Sequence, residues 1–371
     1  MCWAIQGVYV VWLPLEIALV YSRTRTSLNA PAASAGITAK AAGVLVAALE
    51  AGAITGALAG GALIDSFDLR TVLLVPGIAV VICFFVLAFG VKESAQPTGG
   101  RLDTTGLVLI SFALIAFTGG LSLLRINGPT DFVAWVVAIA GAALVVPFVA
   151  WERRHADPVI DIVMFRDPTL WPVFLTAGLF GVSLLGAQAP LSTFARTDPA
   201  VTGYGLGLSG FATSLIIGAY LIAMIAGALS YPLFARASSP RFALITAAAL
   251  IGVGYLMFLP MHDTYAHAIV NMVIVGLGSG ALVGALPATA AAAAPPTQTG
   301  VATGLTNSVK TVGGAIGSCV FGIALATGVT TGASGSLTGY FTVWIVCGAT
   351  AIAAALALVV VPKNAFRLAR G

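Results

Sequence analysis

Residues 41–64 read AAGVLVAALEAGAITGALAGGALI, an unbroken apolar run that carries a single charge, Glu50. Wound as an α-helix at about 1.5 Å per residue, a run of that length crosses the roughly 30 Å hydrocarbon core of a bilayer. The run is typical of the chain around it. All 371 residues together are 59% hydrophobic and 8% charged, and the mean hydropathy is +1.03. Those values lie well outside the range of water-soluble domains.

Apolar runs of spanning length recur on both sides, at 3–21, 41–64, 71–91, 104–124, 132–151, 170–194, 207–234, 242–260, 266–290, 308–330 and 340–361. In lipid a backbone must satisfy its hydrogen bonds within the spanning segment, so eleven transmembrane helices and an all-α polytopic fold are expected. Strands of an outer-membrane barrel would be shorter and would alternate apolar with polar residues, which these runs do not.

The basic residues orient the chain. With the segment after the first run taken as inside, Arg70, Arg125 and Arg196 fall outside and the other fourteen of the seventeen basic residues fall inside. Short basic loops stay cytoplasmic. The carboxy-terminus is therefore expected in the cytoplasm of a cell membrane, and Met1 on the outer face. No basic segment precedes the first run and no small-residue cleavage site follows it, so it does not read as a signal peptide. Either the protein starts outside, or an odd number of helices belongs ahead of the first run.

Several function classes are excluded on composition. The net charge of +4 is spread over many short loops, as topogenic charges are, and forms no nucleic-acid patch. Cys2, Cys83, Cys319 and Cys347 lie in apolar runs without CxxC spacing and read as small hydrophobes. His155, His262 and His267 have no metal-ligand spacing. No phosphate loop ending in Gly-Lys-Ser/Thr is present, so ATP does not enter, no cofactor is expected, and nothing suggests an enzyme. The longest polar stretches, 22–40, 92–103 and 152–168, are too short for a soluble domain.

Within 41–64, Gly52, Gly56 and Gly60 recur every fourth residue and form one smooth stripe on a helix face. Such a stripe lets a second helix backbone approach closely in lipid, where association depends on packing. The longer pattern, Gly43, Gly52, Gly56 and Gly60-Gly61, resembles the antiporter signature in the fifth helix of drug–proton exporters of the major facilitator superfamily. Ala57 stands where that family has proline, so the kink a proline would add is absent.

Other stretches carry the same resemblance. Gln6-Gly7 with Pro14 is similar to the family's fourth-helix motif, with Trp3 where an arginine is usual. Trp151-Glu152-Arg153-Arg154, Asp157-Pro158, Asp161 and Phe165-Arg166 resemble the central cytoplasmic stretch of the fourteen-helix branch. Gly300, Gly304, Asn307, Lys310, Gly313-Gly314 and Gly317 resemble the start of its thirteenth helix, with lysine where arginine is commoner.

The resemblance implies that this chain carries the family's fourth to fourteenth helices and lacks the first three, an odd number. Residues 1–91 would then be a remnant of the N-terminal bundle. Residues 92–168 would hold two extra central helices and a cytoplasmic linker, and 169–371 a C-terminal six-helix bundle. It implies a secondary active transporter exporting hydrophobic or cationic small molecules in exchange for protons, with substrate bound between two bundles that rock to alternate access. Its partners would be the small-molecule substrate, protons and the bilayer, with no nucleic acid. The alternative is an N-terminally truncated, transport-inactive remnant.

Two of thirteen acidic residues, Glu16 and Glu50, fall inside apolar runs. A charge at bilayer depth costs roughly 2.5–3.5 kcal/mol and so tends to face a cavity or a partner. Both are candidates for proton coupling, Glu50 ahead of Glu16, which also suits snorkelling to the interface. Gln188, Asn271 and Asn307 are candidates for the substrate path, with helix bridging the alternative role for the first two. Lys310, at the expected start of the tenth run, reads as a topological anchor.

Overall fold

The computed structural model describes residues 12–28, 31–64, 68–90, 103–155, 158–295, 298–329 and 335–360. Trp3 and Gln6-Gly7 fall outside them, as do the surroundings of Ala57, Gly60 and Gly61. The elements in chain order are α1 (Trp12–Leu28), α2 (Pro31–Ile64), α3 (Leu69–Gly90), α4 (Thr104–Asn127), α5 (Phe132–Ala143), α6 (Val145–Glu152), α7 (Trp171–Gly186), α8 (Gln188–Arg196), α9 (Pro199–Thr202), α10 (Gly210–Ala237), α11 (Pro240–Met257), α12 (Tyr265–Ala293), α13 (Thr299–Ala326) and α14 (Leu337–Val360), with a 3-10 turn at Ile162–Phe165. The fold is an all-α, multi-pass membrane protein. Among the described residues nine helical segments are long and apolar enough to span, and each coincides with an expected run. Of the other two runs, one reaches beyond the described residues, and one falls in α3, whose apolar stretch is the shorter Leu74–Gly90.

Three boundaries differ from the hydropathy pattern, each for a physical reason. The polar stretch 22–40 is mostly helix, because α1 runs on to Leu28 and α2 begins at Pro31. Hydropathy reports where lipid ends, whereas the helix continues into water. There the Thr24 and Thr26 hydroxyls donate to the carbonyls of Val20 and Ser22 at 2.8 and 2.9 Å. The fifth and sixth runs are each divided, α5 ending at Ala143 and α7 at Gly186. Each division lies four residues before a proline, Pro147 and Pro190, whose ring lacks the N–H that those last residues' carbonyls would accept and crowds the same carbonyls.

Turns start helices by side-chain capping. Ser209, Ser239 and Thr264 accept backbone N–H groups at the starts of α10, α11 and α12. Asp103 and Asp131 do so for α4 and α5.

One large apolar core joins α7, α8, α10, α11, α12, α13 and α14 and takes in Val46 of α2, and α13 packs along α7. At one end Trp344 stacks on Phe258 at 4.9 Å and meets the edge of Phe194 at 5.1 Å, a geometry that suits the aromatic quadrupoles. Helices α1 and α2 lie against α10, α12 and α13, while α4 and α5 form a hairpin beside α13. Helix α3 touches little but α2, and Val80, Phe84 and Phe89 face outward. In a membrane protein, lipid tails cover such side chains without penalty.

Helix contacts inside the bundle are made backbone to backbone at glycines. A Cβ on Gly181 would overlap the Lys310 carbonyl, and one on Gly313 the Gly178 carbonyl, so α7 and α13 cannot separate their axes. Gly227 and Gly280 set α10 against α12 in the same way, and Gly120 and Gly141 set α4 against α5. On α2 the close approach is made at Gly43, outside the expected stripe of Gly52, Gly56 and Gly60: a Cβ there would sit 2.6 Å from the Ala228 carbonyl oxygen of α10. A Cβ on Gly52 or Gly56 would meet nothing within 4 Å, so among the described residues that part of the stripe makes no close approach.

Candidate functional site

Helix α13 starts at Thr299, nine residues before the expected run, and this alters the reading of Lys310. The segment TGVATGLTN is poor in hydropathy, but its hydroxyls are satisfied locally. Thr303 donates to the carbonyls of Thr299 and Gly300 at 3.1 and 2.9 Å, and Thr306 to that of Thr303 at 2.6 Å. Lys310 consequently sits well inside a 28-residue helix and not at its entry. The anchor reading is corrected by that placement.

Thr306, Asn307 and Lys310 share one face of α13 by their three- and four-residue spacing. They open on a cavity whose other walls are Leu13 and Pro14 of α1, Ala177 and Phe180 of α7, and Val283, Leu286 and Pro287 of α12. Its volume of about 20 Å³ is room for about one water molecule. Pro287 lies inside α12 and has no N–H, so the Val283 carbonyl in the same wall lacks its usual helical donor.

Glu50 lies on the face of α2 that carries Gly43 and Val46, and it is 8% exposed. Its carboxylate is within electrostatic reach of Lys310 on α13 and of Tyr220 on α10, and the Tyr220 hydroxyl is near the buried Ser279 of α12. Four helices thus bring an acid, a base, a phenol and a hydroxyl towards one interior region, in a chain with few charges. Tyr220 and Ser279 were not singled out from sequence, and Lys310 was read there as a topological anchor. The spacing of Asn307 and Lys310 on one helix face was the available signal for a place in a cavity wall, once α13 is given its true start.

The remaining candidates are elsewhere. Glu16 is half-buried on α1, accepts a hydrogen bond from Trp12 and is not in the cavity wall. Asn271 is fully buried, but its amide donates to the Met261 carbonyl at 2.8 Å and ties down the turn between α11 and α12. Gln188 is exposed at the first turn of α8, beside the break that Pro190 imposes. Among the described residues no cluster of His, Cys, Asp or Glu could hold a metal ion.

A second polar group fastens the central hairpin. Asp103 accepts from the Gly106 N–H and the Trp151 indole, both at 2.9 Å, with His155 at 3.9 Å. Burial works against its charge. The hydrogen bonds and the His155 ring outweigh burial and hold the carboxyl below its usual range.

Compared with known proteins, the profile of the Major Facilitator Superfamily matches residues 26–318 of the chain. The multidrug resistance protein Stp of Mycobacterium tuberculosis is 27% identical over 257 residues, 65% of this chain and 44% of that protein. The uridine/deoxyuridine transporter of Lactococcus lactis is 24% identical over 159 residues, 42% of this chain and 32% of its own. The matched part of the chain therefore spans less than half the length of either relative. Among solved structures, the nucleoside transporter NupG aligns over 96% of both chains with 17% identity and a TM-score of 0.48.

Proposed function

The chain belongs to the major facilitator superfamily, and on that premise we propose that it is a secondary active transporter of the fourteen-helix drug–proton branch. It exports hydrophobic small molecules in exchange for protons, by alternating access, from a cell membrane in which its carboxy-terminus is cytoplasmic. The observation that carries this reading is Glu50. It is a buried acid on α2, which packs against α10 and α12, in electrostatic reach of Lys310 in the wall of a small, mostly apolar cavity. A carboxylate in such a place can take a proton while one side is open and release it to the other. The energy is adequate: one charge crossing 100 mV supplies about 2.3 kcal/mol. The multidrug resistance protein among the relatives supports the export of hydrophobic compounds. Lys310 in the cavity wall weighs against the cationic ones that the resemblance implied.

A second reading, transport of a polar nucleoside-like solute, is favoured by the uridine transporter relative and by Thr306 and Asn307 in the wall. Proteoliposomes holding the full chain under an imposed pH gradient separate the two. A neutral lipophilic dye should move only while the gradient stands, and radiolabelled uridine should not. Movement of uridine alone would favour the second reading. Movement of neither would remove transport and leave the inactive alternative.

A further inference from the structure

Among the described residues that line the cavity between α1, α7, α12 and α13, Lys310 carries the one formal charge. Glu50, on α2 and in electrostatic reach of Lys310, is not part of that wall. The Lys310 ammonium donates no hydrogen bond to a described residue and has no described acid within 4 Å, although an ammonium has three N–H groups to satisfy. Its position is not loose. The backbone of α13 at Lys310 is clamped against Gly181 of α7, so the side chain leaves a fixed point. Asn307 lies one turn before it in the same wall, and Leu13, Phe180 and Leu286 make the neighbouring surface apolar.

A cavity with one cation, an amide and apolar sides complements a molecule with one acidic group on an apolar body. From this we infer that Lys310 and Asn307 form a docking point for the carboxylate of an amphiphilic organic anion, with Glu50 as the resident counter-charge that the incoming acid replaces. The cavity as it stands admits about one water, enough for a single oxygen of such a group. The apolar body is received as the helices part. A cation of the same shape meets a like charge away from bulk water, where screening is weak. The geometry stands by itself, but its physiological meaning, the class of transported substrate, rests on the transporter reading.

The test is equilibrium binding to the purified full chain in nanodiscs, with 2-naphthoate and 2-naphthylmethylammonium as probes of similar shape and opposite charge. The wild type should bind the naphthoate more tightly than the ammonium. Lys310→Met should weaken naphthoate roughly tenfold or more, as loss of a charge-assisted hydrogen bond does, while Lys310→Arg keeps it. Glu50→Gln should strengthen naphthoate binding, since the competing charge is gone; a merely structural lysine would not produce opposite effects in these two variants. Equal naphthoate affinity in wild type and Lys310→Met, or a wild-type preference for the ammonium, would overturn the site. Vesicles that never move a solute although naphthoate binds as described would overturn the transporter reading and leave the site standing.

Discussion

Glu50 and Asp103 are both buried carboxylates, and their surroundings set them different tasks. Glu50 lies at bilayer depth with Lys310 and Tyr220 in electrostatic reach and no hydrogen bond to a described residue. We predict that Glu50→Gln lowers gradient-driven dye efflux by about tenfold or more, the scale of losing a positioned proton carrier, without changing membrane abundance. Unchanged efflux in proteoliposomes would take Glu50 out of coupling. Asp103 is held ionised by the Gly106 N–H, the Trp151 indole and His155 against the effect of burial. A carboxylate with a depressed folded value contributes stability above its unfolded value and loses it as pH falls through the folded one. The hairpin of α4 to α6 should therefore loosen as pH drops below the ordinary carboxylate value of 3.8. The difference in fluorescence between wild type and Trp151→Phe should report that transition, and Asp103→Asn should abolish it.

The helices are held by glycines at particular places, and the glycine count alone does not reveal which. Gly181 and Gly313 meet backbone across α7 and α13, whereas among the described residues Gly52 and Gly56 on α2 meet nothing within 4 Å. We predict that Gly181→Leu destabilises the bundle by about 1–3 kcal/mol or more, the usual scale of overpacking, and sharply lowers the yield of folded protein. Gly52→Leu should leave yield and Tm near wild type. Size-exclusion profiles of the two variants settle the comparison, and equal behaviour would contradict the assignment of close contacts. The sequence displayed the α2 stripe as a period of four, but a period gives only a smooth face. Whether another backbone lies against it depends on a partner far away in the chain. The breaks at Ala143 and Gly186 were readable in principle from Pro147 and Pro190. Pro76, Pro232 and Pro287 show why the rule does not suffice, since each sits inside an unbroken helix.

Across the whole molecule, α1 and α2 pack against α10, α12 and α13, and on the proposed transporter reading these two groups would move relative to each other. Gly43 and Ala228 face each other at this boundary, where a Cβ on Gly43 would lie 2.6 Å from the Ala228 carbonyl oxygen. Gly43→Leu should therefore wedge this boundary apart and lower the yield of folded protein, by the same overpacking as at Gly181, read from the size-exclusion profile. A wild-type profile would mean that the two helices do not lie this close. The sequence alone determined the membrane class, the helical fold and the family, because burial in lipid demands long apolar runs and satisfied backbones whatever the neighbours are. It also marked Glu50 as out of place among them. Only the tertiary structure decided that Lys310 faces a cavity, that Asn271 fastens a turn and that Gly52 meets no described residue closely. Hydropathy and period record what each segment prefers as its solvent, while a site is made where side chains distant in the chain are brought together.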